Sequence, residues 1–442
     1  MDDPRAPIEA HEHFGFPLLK VGMVVALTLA VFGIGYFGPH PAKPSPSVPS
    51  SAPPSGVPSG SAASLPTAVL PAPSTSVVGA AQIGIQSLKR VDPAPGQMSV
   101  AWLPDQISSP SLALLGRRLY YVVDGNRIAF TGIGAAPSGG SVITAPACEG
   151  INQLAAAGHE LAYVVTSPGG PSGQMASCGD PSRVSWSIWL LDLNGGLPHQ
   201  VAHGTREATA LDIAEFPVHL ALTESAYAFD RPPASAAAGI GETVEVHALD
   251  GRLLESSHTQ RPVAAVMLGG STLAVLEEEL SHSDKVFALW ASGPGRPDLA
   301  PVDQPSRSAA LSADGSYLTW DVVYRGPYPT PADEADVAIE TVVSGREVPL
   351  AAPTDRTSPA PLRPAIWSVN GRLAITWFAT APGGAVYPAI RYATGGYGAF
   401  VASVQQPLWM EVQGSTLVWV VEDPASLSKA AFAVDISSLG LG

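Results

Sequence analysis

The sequence predicts an all-β fold made of repeated four-stranded units, carried beyond a membrane on an extended stalk. Three observations predict this. Seven similar apolar strands recur along the chain, most of them just after a turn signal. Beyond about residue 97 short apolar runs are broken by Gly, Pro, Asp and Asn, with no long helical period. Near the N-terminus an apolar run is followed by a Pro- and Ser-rich stretch that lacks any amphipathic pattern.

The repeat comes first. Its strands begin at Leu119 ("LYYVV"), Leu161 ("LAYVV"), Leu220 ("LALTE"), Leu273 ("LAVLE"), Leu318 ("LTW"), Leu373 ("LAITW") and Leu417 ("LVWVV"). Their mean interval is about 50 residues, within the range of propeller blades. Three residues before the leucine stands Gly116, Gly158, Gly270, Gly315 or Gly414 in five units, and Asn370 in a sixth. Gly, and more weakly Asn, accepts the left-handed backbone of a tight turn. The Leu220 unit departs, with Pro217 in that place.

Each unit reads as four strands. In the second unit these are Ile151–Ala157, Glu160–Thr166, Ser185–Leu193 and His199–His203. In the fourth they are Ala264–Leu268, Thr272–Glu277, Lys285–Ala291 and Asp298–Val302. The second strand of most units is almost continuously apolar, as a strand covered on both faces should be. In a β-propeller each sheet is sandwiched between its neighbours. The prediction is therefore a seven-bladed β-propeller, with six or eight blades as alternatives. The last unit supplies only Leu408–Val412, Leu417–Val421 and Ala430–Ile436. The spare strand Met98–Leu103 is predicted to complete it and close the ring, which removes two unpaired edges. The run Gln82–Lys89 is the competing candidate.

One motif within the repeat carries a resemblance. "SADGSYLTW" (Ser312–Trp320) resembles the S-x-D-G-x-x-aliphatic-x-aromatic repeat of TolB-like propellers, the PD40 group, with Ala313 in place of the usual Pro. "SVNGRLAITW" (Ser368–Trp377) is a looser copy. The resemblance implies the propeller architecture and is nearly silent on activity. TolB-type proteins are exported and often six-bladed; a membrane anchor and seven units depart from that. The WD40 pattern fits worse, because Trp320-Asp321 falls in a second strand. Asp314 and Gly315 are read as turn punctuation, not as chemistry.

Ahead of the repeat, Val21–Phe37 is 17 uncharged, mostly apolar residues, extended across Lys20 by Leu18 and Leu19. At 1.5 Å per residue, 18–37 spans about 30 Å, a bilayer core. The exit, "GYFGPHP", lacks the small-residue pattern of a cleavage site, so the reading is an uncleaved signal-anchor; a cleaved signal peptide is the alternative. Arg5 and Lys20 precede the span and favour a cytoplasmic N-terminus. The predicted organisation is a cytoplasmic tail (1–17), a transmembrane helix (18–37), a disordered Pro/Ser/Ala-rich stalk (38–78) and the propeller (79–442), placed on the outer side of a bacterial cell membrane.

Charge and motifs narrow the function classes. A net charge of −15 with five lysines argues against binding a nucleic-acid backbone. The only cysteines, Cys148 and Cys178, are predicted to form a disulfide, as an even count in an exported domain suggests; two buried thiols are the alternative. Catalytic and metal constellations are weak. His11-Glu12-His13 lies in the tail, His199 and His203 would stand about 13 Å apart in a strand, and the acidic run Glu277–Asp284 fits no calcium-loop spacing. No cofactor or metal is predicted.

In a propeller the blade-to-blade links and the second-to-third-strand loops share one face. The long insertions Ser167–Val184, Ser225–Gly241, Glu278–Asp284 and Tyr324–Asp336 fall there, and insertions gathered on one face mark a binding face. Candidate contacts are Tyr227, Phe229 and Arg231 in one loop and Tyr324, Arg325 and Tyr328 in another. The expected function is a scaffold that binds a protein, peptide or envelope component. The alternatives are an exported lactonase- or hydrolase-like propeller enzyme and a small-ligand sensor, each with its site at the central channel.

Overall fold

The computed structural model describes residues 89–91, 97–104, 107–134, 139–167, 182–207, 218–235, 241–278, 287–293, 296–322, 336–342, 346–350, 364–369, 372–380, 386–392, 398–401, 406–422 and 428–439. The chain divides into two compact units, Met1–Ala68 and Val69–Gly442, and every described residue belongs to the second. The predicted anchor (18–37) and stalk (38–78) lie outside the described residues. No described helix is long and apolar enough to cross a membrane.

Two strands precede the first sheet, β1 (Lys89–Val91) and β2 (Met98–Leu103). The first sheet holds β3 (Ile107–Leu115), β4 (Arg118–Val123), β5 (Arg127–Gly132) and β6 (Gly139–Thr144). The second holds β7 (Gly150–Ala157), β8 (Glu160–Ser167), β9 (Arg183–Asp192) and β10 (His199–Glu207). The third holds β11 (Leu220–Leu222), β12 (Ala226–Arg231), β13 (Thr243–Ala248) and β14 (Leu253–His258). The fourth has seven strands: β15 (Val263–Gly269), β16 (Thr272–Glu278), β17 (Phe287–Gly293), β18 (Arg296–Leu311), β19 (Tyr317–Val322), β20 (Asp336–Thr341) and β21 (Arg346–Leu350). The fifth holds β22 (Ala365–Val369), β23 (Arg372–Thr380), β24 (Val386–Tyr392) and β25 (Gly398–Val401), extended by β1. The sixth holds β26 (Gln406–Gln413), β27 (Thr416–Glu422) and β28 (Lys429–Asp435), completed by β2.

These strands form a β-propeller of antiparallel meanders. Apolar cores lie between consecutive sheets: Tyr120 and Ile128 meet Leu161 and Tyr163, and Trp186 and Ile188 meet Tyr227 and Phe229. The second strands β8, β16 and β27 are buried along nearly their whole length, as predicted for strands covered on both faces. Each such fully buried Leu or Val contributes about 1.5–3 kcal/mol. Closure follows the expected route. β2 pairs antiparallel with β28 from Met98↔Val434 to Leu103↔Lys429, so one sheet joins strands from both ends of the domain. Of the competing candidate Gln82–Lys89, only Lys89 is among the described residues; it opens β1, which adds in parallel to β25 in a different sheet.

Two expectations are corrected. The blades number six hydrogen-bonded sheets, not seven, because the units anchored at Leu273 and Leu318 share one sheet. The joining element is β18: over its 16 residues the first half pairs with β17 and the second half with β19. In the third unit Leu220 begins the first strand, not the second; β12 is the second. Its turn has no glycine. Thr223, three residues before Ala226, closes it by accepting the Ala226 amide at 3.1 Å and donating to the Ala226 carbonyl at 3.1 Å.

The glycine turns behave as predicted. Gly116, Gly158, Gly270, Gly315 and Gly414 all have positive φ, between 53° and 73°. Asp314 punctuates its turn: Oδ1 accepts the Ser312 hydroxyl at 2.6 Å and the Ser316 amide at 3.1 Å. This turn presses against its neighbour. The Gly270 amide donates to the Ala313 carbonyl at 2.9 Å, and the Thr272 hydroxyl donates to the Gly315 carbonyl at 2.8 Å. A Cβ on Gly315 would collide with the Gly269 carbonyl.

Candidate binding rim

Strand direction sorts every connection onto one of two rims. First strands start, second strands end and third strands start on what we term the loop rim; the first-to-second-strand turns form the opposite, hairpin rim. The links between sheets and the connections 168–182, 232–242, 279–286 and 323–335 therefore leave from the loop rim. One predicted insertion is shorter than expected, because 226–231 belongs to β12.

The described part of this rim is held by buried acids. Glu242, 6% exposed, precedes β13, and its Oε2 accepts the Val263 amide at 2.7 Å. Its backbone is tied to the next link: the Thr259 hydroxyl accepts the Glu242 amide at 2.8 Å, and the Thr259 amide donates to the Glu242 carbonyl at 2.9 Å. Burial, and then the charge of Asp230, pushes the Glu242 carboxyl up to about 9, so it is protonated at neutral pH. Asp230 is buried beside it; Oδ1 accepts the His219 amide, and Oδ2 lies 2.9 Å from His219 Nδ1. Glu277, at the equivalent strand end of the fourth sheet, accepts the Gln260 amide at 3.1 Å, and burial raises its pKa. All three acids hold the main chain where it enters a sheet, Asp230 and Glu277 at the link and Glu242 at the first residue of β15.

The predicted contacts separate sharply. Tyr227, Phe229 and Arg231, expected in a loop, lie in β12. Tyr227 and Phe229 are fully buried against the second sheet, with Tyr227 stacked on His247 at 5.3 Å, so neither presents a surface. The alternation of the strand explains this: Tyr227, Phe229 and Arg231 share one face, and only the last reaches the edge. Arg231 keeps 41% of its side chain exposed. Its guanidinium grips Glu245 through two bonds, of 2.8 and 3.1 Å, and stands 5.6 Å over Trp186 and 5.4 Å over Phe229. The bonds from Arg231, and then from His247, hold Glu245 below the usual carboxylate range. Tyr324, Arg325 and Tyr328 lie outside the described residues, in the 323–335 connection. Cys148 sits in the link between the first two sheets with φ 73° and is not a free thiol; Cys178 lies outside the described residues.

Sequence reasoning missed Asp230 and Glu242 and read Glu277 as part of an acidic run, whereas it is buried in β16, because nothing local distinguishes buried acids from exposed ones. A residual signal exists: Asp230 and Glu277 fall at the same offset from Ala226 and Leu273, inside otherwise apolar strands.

Fold and rim together define a β-propeller whose closing sheet joins strands from both ends of the domain. No family profile matches the chain, and no curated protein matches it significantly. Its structure is similar to the β-propeller domain of the trilobed protease from Pyrococcus furiosus (11% identity, 76% of this chain and 93% of that one, TM-score 0.46). It is also similar to the acylaminoacyl peptidase of Pyrococcus horikoshii (11% identity, 75% and 51%, TM-score 0.43), of which it spans about half the length. TolB from Acinetobacter baumannii is a third (11% identity, 65% and 80%, TM-score 0.32). The fold assignment rests on the strand pairing above.

Proposed function

We propose that the protein is a propeller held on the outer side of a bacterial membrane by segment 18–37 and the stalk 38–78, and that its loop rim binds a protein or peptide partner. The observation that carries this reading is that the strand ends flanking four long connections, 168–182, 232–242, 279–286 and 323–335, lie on one rim. Arg231, partly exposed over two aromatic rings, stands at that rim's edge. Aromatic-backed arginine is a frequent anchor in interfaces. Binding is favoured over catalysis because Asp230, Glu242 and Glu277 are engaged by backbone amides of the links. A Cys148–Cys178 disulfide would tie the first link to the 168–182 connection on the same rim.

The test is crosslinking in intact membranes with the full chain. One variant replaces 323–335 and 236–240 with short Gly/Ser linkers. A second carries Arg231→Ala. Partner capture should fall strongly in the first and measurably in the second, with surface abundance unchanged. Undiminished capture by the trimmed chain would remove the rim from consideration.

A further inference from the structure

We propose that His159, Glu160 and Asp192 form a site for a first-row divalent cation, best fitted by zinc, on the hairpin rim opposite the proposed partner-binding rim. His159 lies in the turn between β7 and β8, Glu160 opens β8 and Asp192 closes β9. Glu160 and Asp192 are directly opposed in the antiparallel register. Two like charges in that relation repel. Among the described residues neither meets a Lys or Arg; the only ion-pair partner is His159, whose Nε2 lies 3.6 Å from Glu160 Oε1. The other Glu160 oxygen, Oε2, is buried with no hydrogen-bond partner among the described residues. A buried, unsatisfied carboxylate oxygen carries a desolvation cost that a bound cation would relieve.

The geometry is close to what a metal needs. One donor atom from each of the three side chains lies within 4.8 Å of the others. Around tetrahedral zinc, with bonds of about 2.1 Å, donors stand roughly 3.4 Å apart. The remaining closure is a side-chain movement of about 1 Å, available to His159 because its side chain is 57% exposed. The rest of the site is braced. The Leu193 amide donates to the His159 carbonyl at 2.9 Å, and Asp192 Oδ1 accepts the Asn194 amide at 2.8 Å. Glu224, from the turn of the third sheet, packs against Gly158 and adds a further acid beside the turn. One imidazole and two carboxylates suit zinc better than calcium or magnesium, which favour oxygen ligands alone. Three protein ligands leave one coordination position open.

The test is calorimetric titration of the metal-stripped full chain, in detergent micelles, with zinc chloride alone. His159→Ala and Asp192→Asn are compared with a His11→Ala/His13→Ala chain, which removes the tail histidines as a competing source of binding. The native chain and the tail variant should share a site that is weakened at least about tenfold by either hairpin-rim substitution. His159 is exposed in a turn, so its loss leaves the fold intact, which circular dichroism checks. No zinc uptake by the native chain, or titrations of His159→Ala and Asp192→Asn that match it, would overturn the proposal.

Discussion

Glu242→Gln should remove one proton from the pH dependence of stability. In the folded chain the Glu242 carboxyl titrates near 9, raised from 4.5 by burial and then by Asp230. The unfolded chain releases that proton near the ordinary value. The folded state therefore binds one more proton than the unfolded state between about pH 4.5 and 9, and the native fold loses about 1.4 kcal/mol per pH unit across that window. The sign is that of a raised acid: the contribution is most favourable at low pH and is lost as pH rises towards the folded pKa. Glu277, raised by burial, and Glu411, raised by burial to about 8, act in the same direction, so the native slope is steeper than one proton alone. Glutamine reproduces the shape of the protonated acid: its carbonyl can accept the Val263 amide and its NH₂ can donate to Asp230. Between pH 6 and 8 the variant should gain about 3 kcal/mol on the native chain. Urea denaturation of both full chains at pH 6, 7 and 8, followed by tryptophan fluorescence, measures this. Parallel pH dependences would refute a protonated Glu242.

Three further outcomes follow from the fold. Gly414→Ala places a Cβ in open space at φ 58° and should cost about 1 kcal/mol, whereas Gly315→Ala adds a collision with the Gly269 carbonyl and should cost at least about twice that; equal urea midpoints would deny the interlock of the two turns. A chain starting at Gln97 should keep a single cooperative melt, while one starting at Ile107 loses β2, leaves the β28 edge open and should aggregate on gel filtration. Non-reducing peptide mapping should find Cys148 linked to Cys178, and reduction should lower stability by about 3–4 kcal/mol; two alkylatable thiols in the native, non-reduced protein would contradict the bridge.

Much of the strand plan was legible because its signals are local. A glycine that must take positive φ followed by a continuous apolar run marks a tight turn and a doubly covered strand, and five such turns stand where expected. Met98–Leu103 was recognisable as the closing strand because the last unit has three strands of its own. Thr223 was overlooked because a hydroxyl can close a turn that glycine closes elsewhere. The passage of β18 from one set of partners to the next was invisible because pairing partners are chosen at a distance, not by the strand itself.

The sequence by itself determined the all-β class and the repeated turn, since backbone conformation and apolar periodicity act over a few residues, and it left two N-terminal strands as candidates to close the ring, between which the β2–β28 pairing decides. Only the tertiary structure decided which side chains face solvent and which acids meet. Tyr227 and Phe229 are sealed by a neighbouring sheet, Glu242 keeps its proton because it is buried, with Asp230 packed beside it, and Glu160 opposes Asp192 through an antiparallel register. Burial and charge proximity are properties of the assembled sheets, and they arise only when segments distant in the chain are brought together.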